Sequence, residues 1–271
     1  MSRFDCSGIS AESFASSGQL EAAAGVFIKE GYVILDNVLP RPAVEALHRE
    51  FLAEYGARLK EEETEQSRAV SNRRYMMPVR FAGGFADPAV FANPVVLALI
   101  RKLLEPTAIL EAYGCFVSLP GAAKQREHYD GPHLFGTRLS ALLPPYALTF
   151  ALPLVDMDEV QGSTMLMPGS HRWNGFVENA DSFLPKVPQG SCALWDYRLY
   201  HYGTENRSDR PRPMLYCTYA RPWYKDPVNF REIPRMKRLD CSPAFIAGLP
   251  DDVRSLLEHA LGTVALDEAS R

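Results

Sequence analysis

The chain predicts a jelly roll: a mainly β (α+β) architecture whose core is braced by helices from the N-terminal part. Three features point there. Apolar spacing of the helical kind is concentrated before Pro106. Beyond it come short runs rich in β-branched and aromatic residues, separated by Gly and Pro. No internal repeat, low-complexity tract or long linker divides the 271 residues. The expected organisation is therefore one domain over 1–271, with a helical part at about 16–105, a jelly-roll core at about 106–222 and a C-terminal cover at 223–271.

Taken in order, Ser16 to Glu30 predicts a first helix, with Ser16 and Gln19 as a capping box and Leu20, Ala23, Ala24, Phe27 and Ile28 on one face. Gly31 ends it, and Tyr32-Val33-Ile34-Leu35 follows as a short strand. Pro42 opens a second helix carrying Val44, Leu47, Phe51 and Tyr55. The charge run Lys60-Glu61-Glu62-Glu63 at its end reads as a solvated face. From Thr64 to Asp87 periodicity disappears, which fits either a lid or binding loop or an irregular connection. Asn93-Pro94 caps a helix that stops before Pro106. Strands are expected at 108–119, 124–130, 147–154, 163–167, 191–195 and 214–220, and a final helix at 250–261.

Composition narrows the function classes. The formal charge of −4 supplies no basic field for nucleic acid or an anionic membrane. No apolar run approaches the ~20 residues that span a bilayer, and the N-terminal MSRFDCSGIS has no secretory apolar region. Five scattered cysteines without a Cys-x-x-Cys read as reduced thiols, so a cytoplasmic location is expected.

The chemistry concentrates in Gln125-Arg126-Glu127-His128-Tyr129-Asp130. Residues i and i+2 of an extended segment share a face, so His128 and Asp130 can offer an imidazole nitrogen and a carboxylate oxygen to one ion. Two histidines and one carboxylate form the facial triad of non-haem Fe(II) sites. His-x-Asp alone is a weak signal, and a second histidine is required. His48 and His259 sit within helices, His133 lies past Gly131-Pro132, and His171 falls in the turn Pro168-Gly169-Ser170-His171-Arg172. His201, just past a strand, is the better partner, and eleven residues later Arg212 opens the strand to Ala220. A guanidinium is a planar fork matched to a carboxylate, so Arg212 suits the far end of a dicarboxylic co-substrate, although by itself it also reads as a surface strand residue.

These pieces together resemble a known family. Gln-x-x-His-x-Asp at 125–130, Leu143-Pro144-Pro145-Tyr146-Ala147 leading to Pro153-Leu154-Val155-Asp156, Gly162-Ser163-Thr164, the 168–172 turn, the His201…Arg212 pair and GYVILDNVLP at 31–40 are similar to the phytanoyl-CoA dioxygenase family of Fe(II)/2-oxoglutarate oxygenases. The likeness covers roughly residues 20–222. It implies a double-stranded β-helix of the cupin-like kind, with His128, Asp130 and His201 on iron and Arg212 on the distal carboxylate of 2-oxoglutarate. It places Gln125 and Thr164 beside the co-substrate. O2 and 2-oxoglutarate would be consumed, succinate and CO2 released, and an unactivated C–H bond oxidised, by default hydroxylated. Asp130 fills the position that related halogenases leave to chloride.

A small, largely apolar substrate is expected, with pocket walls from Met76, Met77, Phe81, Phe85, Trp223 and Tyr224, in a monomer or homodimer that tailors a specialised metabolite. The basic run Lys225…Arg231…Arg235-Met236-Lys237-Arg238 reads as a solvated face or as a contact for a phosphorylated or CoA-bound substrate. The rival reading is a cupin-like isomerase or binding protein with a non-redox metal, which leaves Arg212 without a task.

Overall fold

A computed structural model describes residues 2–60, 68–226, 228–229 and 238–261. The chain begins with a short strand the sequence did not announce, β1 (Arg3–Asp5). The expected helix over 16–30 is two helices, α1 (Ala11–Ser16) and α2 (Gln19–Glu30). Gly18 between them has φ 78°, a left-handed conformation that no right-handed helix can run through. Ser16 is therefore the last residue of α1 rather than a cap, and the capping serine is Ser10, whose Oγ accepts from the Ser13 N–H at 3.1 Å. Gly31, with φ 81°, closes α2, and β2 (Tyr32–Asp36) follows as expected.

Next comes α3 (Arg41–Tyr55), which has Pro42 in its first turn and buries Val44, Leu47, Phe51 and Tyr55. Of the run 60–63, expected as a solvated face, residues 61–63 lie outside the described residues. The stretch expected to be a loop contains a hairpin, β3 (Arg68–Ser71) and β4 (Arg74–Pro78), turned at Arg73 with φ 57°. Both faces of β4 are covered, so its apolar residues do not alternate and the strand leaves no period-two trace. Two capped helices follow, α4 (Pro88–Phe91) after Asp87 and α5 (Pro94–Leu103) after Asn93.

The remaining elements are β5 (Ile109–Ser118), α6 (Thr137–Leu142), β6 (Ala147–Pro153), β7 (Thr164–Leu166), β8 (Cys192–Asp196), β9 (His201–Gly203), β10 (Arg212–Ala220), α7 (Pro243–Ala247) and α8 (Asp251–Arg254). The expected strand at 124–130 is not regular: its one bridge is His128 to His201, flanked by single backbone hydrogen bonds. The expected helix at 250–261 is broken by turns after Arg254.

The large sheet has the order β1-β2-β8-β6-β10-β5-β4-β3, antiparallel except for β1 on β2. Opposite it, β7 pairs with β9, and the bridges at His128 and Phe183 widen this smaller sheet. Two sheets enclosing a core with helices against one of them make a jelly roll.

Alternation along the strands separates two interiors. On β10, Leu215, Cys217 and Tyr219 join the core under the helices, together with Phe27, Phe51 and Phe91. Each such phenylalanine contributes about 1.5–3 kcal/mol by leaving water. The other face of β10, with Arg212, Met214 and Tyr216, looks into the space between the sheets.

Candidate active site

His128 and His201 meet across the small sheet. Each backbone N–H donates to the other's carbonyl, at 3.0 and 2.8 Å, and the ring centroids lie 4.5 Å apart. The flanking bonds, Gln125 N–H to Gly203 O and Gly131 N–H to Tyr197 O, both at 2.9 Å, keep 125–131 extended. His128 and Asp130 thus point inward, while Tyr129 turns out to pack on Tyr200 and His133. One ligand atom from each of His128, Asp130 and His201 lies within 4.8 Å of the other two.

Hydrogen bonds set the state of all three groups. His128 Nδ1 faces Arg126 O at 2.8 Å, and His201 Nδ1 faces Leu199 O at 2.9 Å. A carbonyl has no proton to give, so each Nδ1 donates and each Nε2 is bare for a metal. Asp130 Oδ2 accepts from Thr149 Oγ1 at 2.7 Å and Trp195 Nε1 at 2.9 Å, while Oδ1 lies 3.5 Å from His201 Nε2. Burial by itself would raise the Asp130 carboxyl, yet His201, His128 and the Thr149 hydroxyl together hold it well below the usual carboxylate range. With Oδ2 occupied twice, Oδ1 is the oxygen presented to an ion. Replacing Trp195 with Phe and Thr149 with Val together is expected to weaken Co(II) binding by about 10–100-fold, read by anaerobic titration. Unaltered affinity would show that the two donors do not aim the carboxylate.

A second feature shares the cavity. Ser118 on β5 is flanked in register by Arg212 on β10 and Arg74 on β4, which places the two guanidiniums in one row. Both are buried, at 3% and 4% exposure. Arg74 donates to the carbonyls of Ala123 and Thr204. Among the described residues, Arg212 reaches only Met157 Sδ, at 3.5 Å, and its Nε has no partner, nor does Ser118 Oγ. Among the described residues neither guanidinium has a carboxylate in ion-pair range. Burial, and then the nearby Arg74 charge, bring Arg212 down to about 9, and burial brings Arg74 to about 10. An uncompensated buried cation costs several kcal/mol, so the row is built for an anion.

Gln125 and Thr164 line the same cavity. Gln125 Oε1 accepts from the Gly203 N–H at 2.9 Å. A Cβ on Gly203 would come within 2.6 Å of that oxygen and 2.7 Å of Arg74 Nη1, so the glycine leaves both side chains room where they lie. Val70, Phe116 and Met214 form an apolar wall.

The structure thus gathers His128, Asp130, His201, Arg212, Gln125 and Thr164 around one cavity. It does not gather the expected substrate residues. Met76 is on the inner face, against Ala112 and Tyr216. Met77, Phe81 and Phe85 belong to the core under the helices, where Phe81 stacks on Tyr113 at 4.6 Å. Met76 and Met77, adjacent in one strand, necessarily point to opposite faces. Trp223 is exposed beside Tyr146, and Tyr224 is buried against that same ring.

His171 bonds Ile28 O at 3.1 Å, and neither it nor His133, His48 or His259 joins the cluster. Of the basic run, Arg231, Arg235 and Lys237 fall outside the described residues, and Arg238 turns inward to Glu111. Arg74, Trp195 and Thr149 were not legible as site residues, because only the register of the large sheet brings them to the triad.

The family model described as phytanoyl-CoA dioxygenase (PhyH) matches residues 27–214. A protein described as dioxygenase af480, from Aspergillus fumigatus, is 24% identical over 161 residues, 57% of this chain and 51% of that one. A protein described as dioxygenase olcK, from Penicillium canescens, is 23% identical over 223 residues, 76% of this chain and 72% of that one. The chain therefore spans about half the length of the first of these relatives. Among solved structures, the non-haem α-ketoglutarate-dependent epimerase SnoN from nogalamycin biosynthesis superposes with a TM-score of 0.56 at 21% identity, covering 75% of this chain and 81% of that one. At that identity the likeness speaks for the fold. Among the described residues no helix is long and apolar enough to cross a membrane.

Proposed function

Because the chain belongs to the phytanoyl-CoA dioxygenase family, we propose that it is an Fe(II)- and 2-oxoglutarate-dependent dioxygenase that hydroxylates an unactivated C–H bond of a small, largely apolar molecule, in the tailoring of a specialised metabolite. The observation that carries this reading is the shared cavity. An Fe(II)-type donor set of two bare Nε2 atoms and one free carboxylate oxygen lines it. So does a buried Arg212 whose Nε has no partner among the described residues.

The donor set fits iron. His128, Asp130 and His201 would hold it through their two Nε2 atoms and Asp130 Oδ1. When bound there, iron would supply oxidation of the substrate coupled to decarboxylation of the co-substrate to succinate and CO2. The protein's own groups bind, orient and exclude water. Arg212 pairs with the distal carboxylate of 2-oxoglutarate, and Arg74, Gln125 and Thr164 supply polar contacts along its length. The apolar wall of Val70, Phe116 and Met214 keeps the reacting C–H bond in a dry site. A non-redox cupin-like reading leaves the Arg212–Ser118–Arg74 row without a purpose.

The test is anaerobic addition of Fe(II) and then 2-oxoglutarate, followed by a metabolite screen read as succinate release under O2. A chain that binds Fe(II) but takes no 2-oxoglutarate would sink the proposal. Substrate choice is assigned to the apolar wall and the β3–β4 hairpin. Phe116→Ala with Val70→Ala is expected to shift relative succinate yields across a substrate panel, leaving 2-oxoglutarate affinity within about twofold, since neither side chain carries a polar group for the dianion. The same ranking of substrates in the double variant would refute that assignment.

A further inference from the structure

The pairing of β5 with β10 slips once. Thr218 faces Ala112 and Tyr219 faces Leu110, so Glu111 has no opposite number. An extra residue of this kind redirects side chains at that point of a strand. Glu111 is buried, and Arg238 and the Asp226 N–H, at 3.2 Å, both point to its Oε1. Arg238 also donates to Asp226 O at 2.8 Å, and its own carbonyl accepts from Tyr113 N–H at 2.9 Å. The strand irregularity thus serves to tie down the C-terminal chain, and none of these groups reaches the metal cavity.

Asp226 passes this anchorage onward. Its Oδ1 accepts from the N–H groups of Val228 and Asn229, at 2.8 and 3.0 Å, folding a tight turn. Its Oδ2 accepts from Tyr197 Oη and Asn229 Nδ2, both at 2.7 Å. Asn229 Nδ2 then donates at 2.9 Å to the backbone carbonyl of Asp130. Tyr197 O meanwhile accepts from Gly131 N–H at 2.9 Å. Asp130 is therefore held at both ends: its Oδ2 by Thr149 and Trp195, its backbone by Asn229 and Tyr197.

We propose that Asn229 is a positioning residue: its amide fixes the main chain of Asp130, and through it the aim of Oδ1, so that metal affinity depends on the seating of the C-terminal chain. The inference rests on the reading of His128, Asp130 and His201 as the metal site. Groups that orient a ligand from outside are worth about 10–100-fold in metal affinity. Asn229 does not line the metal cavity and acts through Asp130.

The test uses the full chain, with Co(II) as probe under anaerobic conditions, following both affinity and the visible ligand-field bands. Asn229→Ala is expected to weaken Co(II) binding about tenfold and alter the bands, with a melting temperature within a few degrees of wild type. Asn229→Asp is isosteric and creates no cavity, yet it replaces the donor with an acceptor facing Asp226 and Asp130 O. It should lose at least as much, and it keeps the test decisive if the alanine variant folds poorly. Val228→Ala, an exposed change in the same turn, should alter neither readout. Wild-type affinity and bands in Asn229→Asp would overturn the inference while leaving the metal site intact. A wild-type chain that binds no Co(II) would overturn the metal reading and the inference with it.

Discussion

His201→Ala is expected to abolish Fe(II) and Co(II) binding, and His128→Ala to do the same, whereas His133→Ala and His171→Ala keep their metal. The two rings face each other 4.5 Å apart, with both Nδ1 protons spent on backbone carbonyls. Removing either ring leaves one imidazole and one carboxylate, with no replacement nitrogen among the described residues. The loss should exceed the roughly 100-fold that outer groups reach. His171 is committed to Ile28 O on the helix side, and His133 packs behind Tyr129 on the outer side of the small sheet. Anaerobic calorimetric titration of the four variants reads the result. Iron lost by His133→Ala and kept by His201→Ala would reverse the ligand assignment.

Arg212→Ala should cost on the order of 2–5 kcal/mol of 2-oxoglutarate binding, about thirty-fold or more, because it leaves a desolvated carboxylate with its cation gone. Metal affinity should barely change, since Arg212 ligates nothing. Arg74 is in the same row, but its Nε and Nη2 are already directed at the carbonyls of Ala123 and Thr204, which leaves it no planar fork to replace the lost one. Arg212→Lys recovers only part of the loss, an ammonium being a point charge without a planar fork. Calorimetry with 2-oxoglutarate on the Co(II)-loaded protein separates these outcomes. Wild-type affinity in Arg212→Ala would remove the main reason for assigning this co-substrate to the cavity.

Much of the site could be read along the chain because it obeys local rules. His128 and Asp130 share a face through the period of an extended segment, and Arg212 begins a strand whose alternate residues are apolar. The β2, β5, β6, β8 and β10 strands and the α3 and α5 helices declared themselves by spacing, Pro42 and Asn93-Pro94. Where local signals competed, spacing misled. Leu20 to Ile28 continue a helical pattern that Gly18 interrupts upstream, and β4, covered on both faces, hid its period.

What only the tertiary structure decided is which face of each strand belongs to which interior, and which strands are neighbours. Period two sends Met76 and Met77 to opposite sides, but pairing with β5 is what gives Met77 to the helices and Arg74 to the cavity. Trp195, Thr149 and Asn229 reach Asp130 from 65, 19 and 99 residues away in sequence, so no spacing within the motif announces them. The pairing of His128 with Asp130 follows from local spacing and was legible along the chain. The groups that aim the pair are non-local, because strand register, set by burial over the whole sheet, is what brings them together.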